Sequence, residues 1–361
     1  MAQCSGMKTA DPTREQLIDE FESSLEAGVS QPCFWSEPVV IGVSGGGDSV
    51  GLLVGLERLA RAREATGRLF VAHAQHDLRP QASSDRAFVA LLARRLGLPF
   101  VWRELPVRDG RDERGEGMEA RVRRLRYDFL AESAREAGAR HVVVAHTADD
   151  QAETILHRAL RGTGLAGLGG MPASRELCDG VALLRPLLGV CREDVRRYCH
   201  AVGEPWCEDE SNADTRYARN FLRHDILPRV AAGPYPAAAA SIGRLGRQAS
   251  QVAAAIASAA GHLLDVHACR QADGTILVRT AAFAALDPHL VAEIFVALWR
   301  REQWPRRDMT SRHYTALAAM AASTGAAAAP GAAEVVSALD MPGGIRVRVA
   351  GRGMLSFTSP S

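Results

Sequence analysis

The chain of 361 residues is 47% hydrophobic and balances 43 basic against 42 acidic residues, a net charge of +1. That length accommodates two domains with sizeable cores, and the near-neutral balance does not by itself point to a nucleic-acid partner. Met1 to Gln16 contains no apolar signal core and no later stretch is an uninterrupted membrane span; seven cysteines without a C-x-x-C pair argue against a disulfide framework or zinc ribbon, so a soluble, cytoplasmic protein is expected.

Pro12 to Gly28 has the pattern of an amphipathic helix. The apolar run Pro38 to Val43 reads as a buried strand, and it leads into Ser44-Gly45-Gly46-Gly47-Asp48-Ser49 and a helix over 49–66. Further strands are expected at 69–75, 99–105 and 141–145, with helices at 84–97, 117–137 and 149–161. This alternation predicts an α/β fold, a parallel sheet covered by helices on both faces. Ligands of such sheets bind beyond the carboxyl ends of the strands, where 44–49, 73–79 and 146–153 fall. Leu183 to Leu188 suggests an edge segment and Arg192 to Val202 another helix. Gly233-Pro234-Tyr235-Pro236 suggests a break between a larger domain, 1–232, and a smaller, mainly helical domain, 237–361. Within the latter, an alanine-rich helix is expected from Ala237 to Val266, and helices at 288–301 and 310–322. A low-complexity run, Ala321 to Ala333, leads to a hairpin around Gly351-Arg352-Gly353.

The glycine loop after the first strand carries the strongest chemical signal. Three glycines permit a sharp turn and a close approach of backbone N–H groups, and the following helix N-terminus favours phosphate. Asp48 is suited to holding Mg²⁺ against those phosphates, so a nucleoside triphosphate site is expected. No Gly-Lys pair exists for a G-x-x-x-x-G-K-[ST] loop, and Gly51 is out of register for G-x-G-x-x-G. Lys8 is the sole lysine, so any phosphate clamp must be a guanidinium.

Asp149, Asp150 and Glu153 place three carboxylates in about one helical turn, with Asp150 and Glu153 on one face. They could bind Mg²⁺ or a substrate ammonium; equally, Asp149 could cap the helix while Glu153 complements its dipole. Arg123 and Arg126 share a helical face that could grip phosphates or simply be solvated. Arg216, Arg219, Asn220 and Arg223 form one basic stripe, of the kind that follows a nucleic-acid backbone. Cys191, Cys199 and Cys207 recur evenly beside His200, at intervals that suit ordinary burial better than a metal or a bridge.

These motifs occur together in a definite order. It runs S-G-G-x-D-S at 44–49, His73…His76-x-Leu78-Arg79, E-x-x-[AV]-R-x-x-R-Y ending at Tyr127, A-H-x-x-D-D-Q-x-E-T ending at Thr154, R-G-T-G at 161–164, and D-x-S-N…R-N-x-[IL]-R ending at Arg223. Over about residues 38 to 230 the chain resembles the tRNA(Ile)-lysidine synthetases of the PP-loop ATP pyrophosphatase superfamily. It departs at Thr147, where the family usually has a second His, and at Gln75-His76-Asp77, where Asn or Asp followed by His-Gly is usual.

The resemblance implies ATP-dependent ligation of L-lysine to C2 of the wobble cytidine of CAU-anticodon tRNA(Ile). The route would be an adenylated cytidine, releasing AMP and diphosphate. Ser44, Gly45, Gly46, Gly47, Asp48, Ser49 and His146 would contact ATP, and Asp48 and Asp150 would hold Mg²⁺. Arg123 and Arg126 would assist adenylation, and Asp150 and Glu153 would position lysine's amine. Arg216, Arg219, Asn220 and Arg223 would meet tRNA, as would the C-terminal domain. Oligomeric state is left open, a homodimer included. Two rival readings are a PP-loop cytidine 2-thiolase, whose usual cysteine pair is missing here, and a non-catalytic ATP-binding module.

Overall fold

A computed structural model of the chain describes residues 12–31, 33–76, 82–106, 117–208, 218–325 and 337–360. Asp77, Leu78, Arg79, Asp209 to Asn212, Arg216 and most of the alanine-rich run ending at Ala333 lie outside the described residues. Two compact units divide the chain, Met1–Arg247 and Gln248–Ser361.

In the first unit, α1 (Arg14–Gly28) starts with a capping box: Gln16 N donates to Thr13 Oγ1 at 3.2 Å and Thr13 N to Gln16 Oε1 at 2.8 Å. The unit continues as β1 (Val39–Gly42), α2 (Gly47–Ala62), β2 (Leu69–His76), α3 (Ala82–Leu96), β3 (Phe100–Leu105), α4 (Met118–Glu136), β4 (His141–Val144) and α5 (Ala148–Leu160). After these come α6 (Leu165–Leu168), β5 (Ser174–Cys178), β6 (Val181–Leu184), α7 (Arg192–Val202), α8 (Ala218–Phe221), a π turn at Leu222–Ile226, and α9 (Leu227–Ala232).

The six strands are ordered β3-β2-β1-β4-β6-β5, all parallel except β5, which runs antiparallel to β6. β1 is apolar along its length because both its faces are covered. Val39 and Ile41 join the core with Leu52, Leu56 and Val195, while Val40 joins Leu130, Val142 and Leu183 on the other side. The edge expected near 183–188 is instead β5, since β6 pairs with β4 and β5 on its two sides. The chain leaves β1 toward β2 on one side and takes up β4 on the other. That reversal opens a crevice at the carboxyl ends of β1 and β4.

α10 (Ala238–His267) begins after the Gly233–Pro236 turn, but the division between units falls inside it, at Arg247 and Gln248. Its first turns belong with α5: a Cβ on Gly246 would clash with Ile155. The second unit adds β7 (Ala268–Arg270), β8 (Ile276–Arg279), α11 (Pro288–Arg301), α12 (Ser311–Gly325), β9 (Ala338–Met341), β10 (Ile345–Gly351) and β11 (Met354–Thr358). The expected hairpin is β10–β11, the centre of a five-stranded antiparallel sheet, β7-β8-β11-β10-β9. On β10, Ile345 and Val347 are buried while Arg346 and Arg348 face water, so the buried side meets the core around Trp299 and Phe295. The unit is mainly helical, as expected, and the hairpin is extended into a five-stranded sheet. β7, β8 and β9 are only three or four residues long, too short to show an alternation in the sequence. Among the described residues no helix is long and apolar enough to cross a membrane.

Candidate active site

The crevice is lined first by the loop that leaves β1. Gly45 adopts φ of +100°, a left-handed conformation that strains any side chain. Ser49 Oγ gathers the turn: it accepts from Ser44 N and Gly45 N at 3.2 Å and donates to Gly46 O at 2.8 Å. Gly46 is the N-cap of α2 and has no side chain to offer, so first-turn amides are left for an anionic ligand. Behind the loop, buried His73 uses Nδ1 to engage Val43 O at 2.8 Å, and burial lowers its pKa. Trp206 and Cys207 flank it. A Cβ on Gly47 would lie 3.5 Å from the Trp206 ring, and Cys207 N donates to Gly45 O at 3.0 Å.

The carboxyl end of β4 supplies the second wall. Thr147 is the N-cap of α5, so of the two roles open to Asp149 the cap is already filled. Thr147 N and Oγ1 both donate to Asp150 Oδ2, at 3.0 and 3.2 Å. The cap thus holds one carboxylate oxygen of Asp150 and leaves Oδ1 for a cation. Asp149 Oδ2 accepts from Arg192 N at 2.7 Å, which ties the start of α7 to α5.

Arg192 is the residue that sequence reasoning missed, and it occupies the centre. Its Nε donates to Asp48 Oδ2 at 3.0 Å and its Nη2 to Asp150 Oδ1 at 3.1 Å, while Nη1 lies 3.9 Å from Glu153 Oε1. Arg223 grips Glu153 through Nε at 2.6 Å and Nη2 at 2.9 Å, and also reaches Asp150 Oδ1 at 2.7 Å. Arg219 Nε donates to Glu153 Oε2 at 3.2 Å. Arg219 and Arg223 therefore point inward at the carboxylates, where an outward basic stripe was expected; Asn220 lies between them on α8.

The electrostatics follow from these contacts. Burial would raise Asp150, but the charge of Arg192, the Thr147 N–H, and Arg223 and Arg219 together hold its carboxyl below the usual range. Asp48 goes the other way: burial outweighs Arg192, and the nearby Asp150 charge adds to the rise. Arg192 is driven above its ordinary pKa, because the charges of Asp150 and Asp48 overcome its burial.

A family model of the PP-loop domain matches residues 17–230. A tRNA(Ile)-lysidine synthase of Rhodopirellula baltica is 35% identical over 77% of this chain and 78% of its own length. That of Thermus thermophilus is 44% identical over 58% of this chain, but only 38% of its own length. The chain belongs to the tRNA(Ile)-lysidine synthase family. Among solved structures, the U34-tRNA thiolase NcsA from Methanococcus maripaludis aligns with a TM-score of 0.53 at 14% identity. That match covers 66% of this chain and 80% of that one, a likeness of fold.

Arg123 and Arg126 lie on α4 and both approach the ring of Tyr127, their guanidinium carbons 5.1 and 5.6 Å from its centre. Arg175 approaches the same ring at 5.0 Å. Burial lowers Arg126, and the charges of Arg123 and Arg219 add to the effect. For Tyr127, burial alone would raise the phenol; the charges of Arg123, Arg126 and Arg185 bring it below its ordinary value. His146 is pushed far down by burial, with Arg185, Arg126 and Arg123 opposing its protonation and Asp150 favouring it. Its Nδ1 is buried with no hydrogen-bond partner among the described residues, an unmet group that a polar ligand would satisfy.

Gln151 and Arg158 bind the glycine-rich stretch after α5. Met171 N donates to Gln151 Oε1 at 2.7 Å, and Arg158 Nη1 donates to Gly170 O at 2.7 Å. Of the even-spaced cysteines, Cys199 is buried, Cys207 half-buried and Cys191 exposed. No cluster of three His, Cys, Asp or Glu side chains among the described residues could hold a metal. Asp48 and Asp150 nevertheless converge on one cationic group, and two hard oxygen donors suit Mg²⁺, which takes one or two protein carboxylates and completes its shell with phosphate and water.

Proposed function

We propose that this chain ligates L-lysine to C2 of the wobble cytidine of a CAU-anticodon tRNA(Ile), at the expense of ATP. The observation that carries the reading is the meeting of a phosphate-loop carboxylate, Asp48, with Asp150 and Glu153 from a different strand end. One wall suits a triphosphate and the other an ammonium, which are the two reactants such a ligation brings to one base.

The loop amides and Ser49 hold the β- and γ-phosphates as diphosphate leaves, which favours the developing anion without reorganisation. Asp48 and Asp150 would hold Mg²⁺, which supplies neutralisation of charge at the α-phosphate. Arg123 and Arg126 steady the adenylated cytidine, guanidinia being the only cationic forks available in the described site. His146, neutral at physiological pH, offers Nδ1 to the nucleotide. Asp150 and Glu153 orient the lysine amine toward C2, and AMP departs. The base must leave its stack to enter. Arg216, Arg219, Asn220, Arg223 and the second unit contribute to tRNA binding, in a cytoplasmic setting.

The test is incubation of the protein with ATP, Mg²⁺, labelled lysine and a CAU-anticodon transcript, with a parallel reaction given a sulfide source in place of lysine. Lysine incorporation with matching AMP release is expected. Sulfur incorporation independent of lysine, or nucleotide binding without AMP, overturns the proposal in favour of a thiolase or an inert module.

A further inference from the structure

We infer that Arg219 and Arg223 close Asp150 and Glu153 to a free amine until RNA phosphates draw the two guanidinia away, so that lysine is admitted after RNA; this rests on the amine role proposed above.

Three carboxylates, Asp48, Asp150 and Glu153, face three guanidinia, Arg192, Arg219 and Arg223. The cluster is charge-balanced, and every one of these carboxylates already accepts from a guanidinium. A lysine ammonium entering it would be a fourth cation, with its acceptors taken and like charges a few ångströms away. One guanidinium must leave before the amine can bind.

The three arginines differ in how readily they can do so. Arg192 is tied at its backbone, N to Asp149 Oδ2 at 2.7 Å, and at its side chain to Asp48 at 3.0 Å. Arg219 and Arg223 come from α8 and the π turn that follows it, a rare backbone form concentrated at functional positions. Exposure does not separate Arg192, whose side chain is 19% exposed, from the other two, but it gives the direction of exchange relative to the carboxylate. The Glu153 side chain is 1% exposed, whereas those of Arg219 and Arg223 are 28% and 21% exposed. The two arginine side chains cover the carboxylate and are themselves partly open to solvent. A phosphodiester can approach them from there and compete through bidentate, charge-assisted hydrogen bonds. The same side chains then serve two anions in turn, and the site that receives the amine opens when the acceptor RNA is present.

The experiment is equilibrium dialysis of labelled lysine against the full chain, alone, with a non-hydrolysable ATP analogue, and with analogue plus CAU-anticodon transcript. The inference expects RNA to tighten lysine binding at least tenfold in the wild type. Arg219→Gln/Arg223→Gln should bind lysine without RNA as tightly as the wild type does with it, while Arg223→Lys keeps the dependence. If the double variant fails to fold, judged by its thermal melt, Arg219→Gln alone should show a partial gain without RNA. Equal wild-type affinity with and without RNA, full tightening by the analogue alone, or RNA dependence undiminished in the folded glutamine variants would overturn it. Wild-type incorporation of lysine into the transcript is measured in parallel. Incorporation without RNA-dependent binding removes this inference alone, whereas absence of incorporation removes the ligase reading.

Discussion

Arg192 joins the phosphate loop to the carboxylate helix by donating to Asp48 Oδ2 at 3.0 Å, across 144 positions of sequence. Because the same guanidinium reaches Asp150 at 3.1 Å, it sets the separation of two carboxylates that lie on different strand ends.

Arg192→Met should leave Asp48 and Asp150 facing each other with fewer counter-charges. Removing one partner of a buried ion pair costs about 3–5 kcal/mol, and the partial exposure here reduces that to about 2 kcal/mol. Urea denaturation at pH 7 measures it. The loss should shrink in acid, as pH falls below the ordinary carboxylate range and Asp150 takes up a proton. Its folded pKa is depressed, so its stabilisation is present above the unfolded value of about 3.9 and fades as pH falls through the folded one.

His146 gives a second pH dependence at milder acidity. Its folded pKa is depressed below the unfolded value of about 6.5, so its contribution is complete above that pH and declines as pH falls. Between pH 7 and 5 the wild type should lose about 2 kcal/mol from this group. His146→Gln should flatten that part of the profile. An unchanged slope in the variant would assign the acid sensitivity to another residue.

Thr147→Val tests the cap. It removes the Oγ1 partner of Asp150 Oδ2 and the α5 cap, and should cost about 1–2 kcal/mol with roughly a tenfold fall in lysine transfer. Thr147→Ser retains the hydroxyl and should restore both. Thermal melts and single-turnover transfer separate the two effects; a Ser variant as impaired as Val would mean that the hydroxyl alone does not make the cap and that the methyl group is needed as well.

How much of this was legible in the sequence depends on where the information lies. β1, the first half of β2 and Val142 to Val144 of β4 are apolar runs, and these announce the strands. The Gly45 turn is local, so the loop could be read from six residues. Asp150 and Glu153 could be placed on one helical face by spacing, and they do share a cation cluster. The inward pointing of Arg219 and Arg223 was not legible, because a helical stripe has two possible environments and only the packing of α8 near α5 decides between them. Arg192 carried no local signal either. It stands first in a helix with five charged residues, and its importance comes from the sheet order that brings α7 across to the ends of β1 and β4.

Gly46→Ala and Gly51→Ala form a matched pair that separates ligand space from packing space. A Cβ on Gly46 would meet only Ser44 Oγ, at 3.7 Å, and the backbone there, φ −71° and ψ 158°, is one that alanine adopts. The variant should melt within a degree or two of the wild type. Its ATP affinity should nevertheless fall at least tenfold, about 1.4 kcal/mol, because the methyl group intrudes on the amides that face the phosphates. On Gly51 the Cβ would lie 2.5 Å from Val195 Cγ1 and 3.2 Å from Cys199 Sγ, so α2 and α7 would have to separate. Overpacking of that kind costs about 1–3 kcal/mol, and Gly51→Ala should lose stability first, with ATP affinity declining only as the loop shifts. Calorimetric titration of a non-hydrolysable ATP analogue, read beside the melting curves, distinguishes the two. Equal melting losses in both variants would place Gly46 in the packing of the loop and not in the phosphate site.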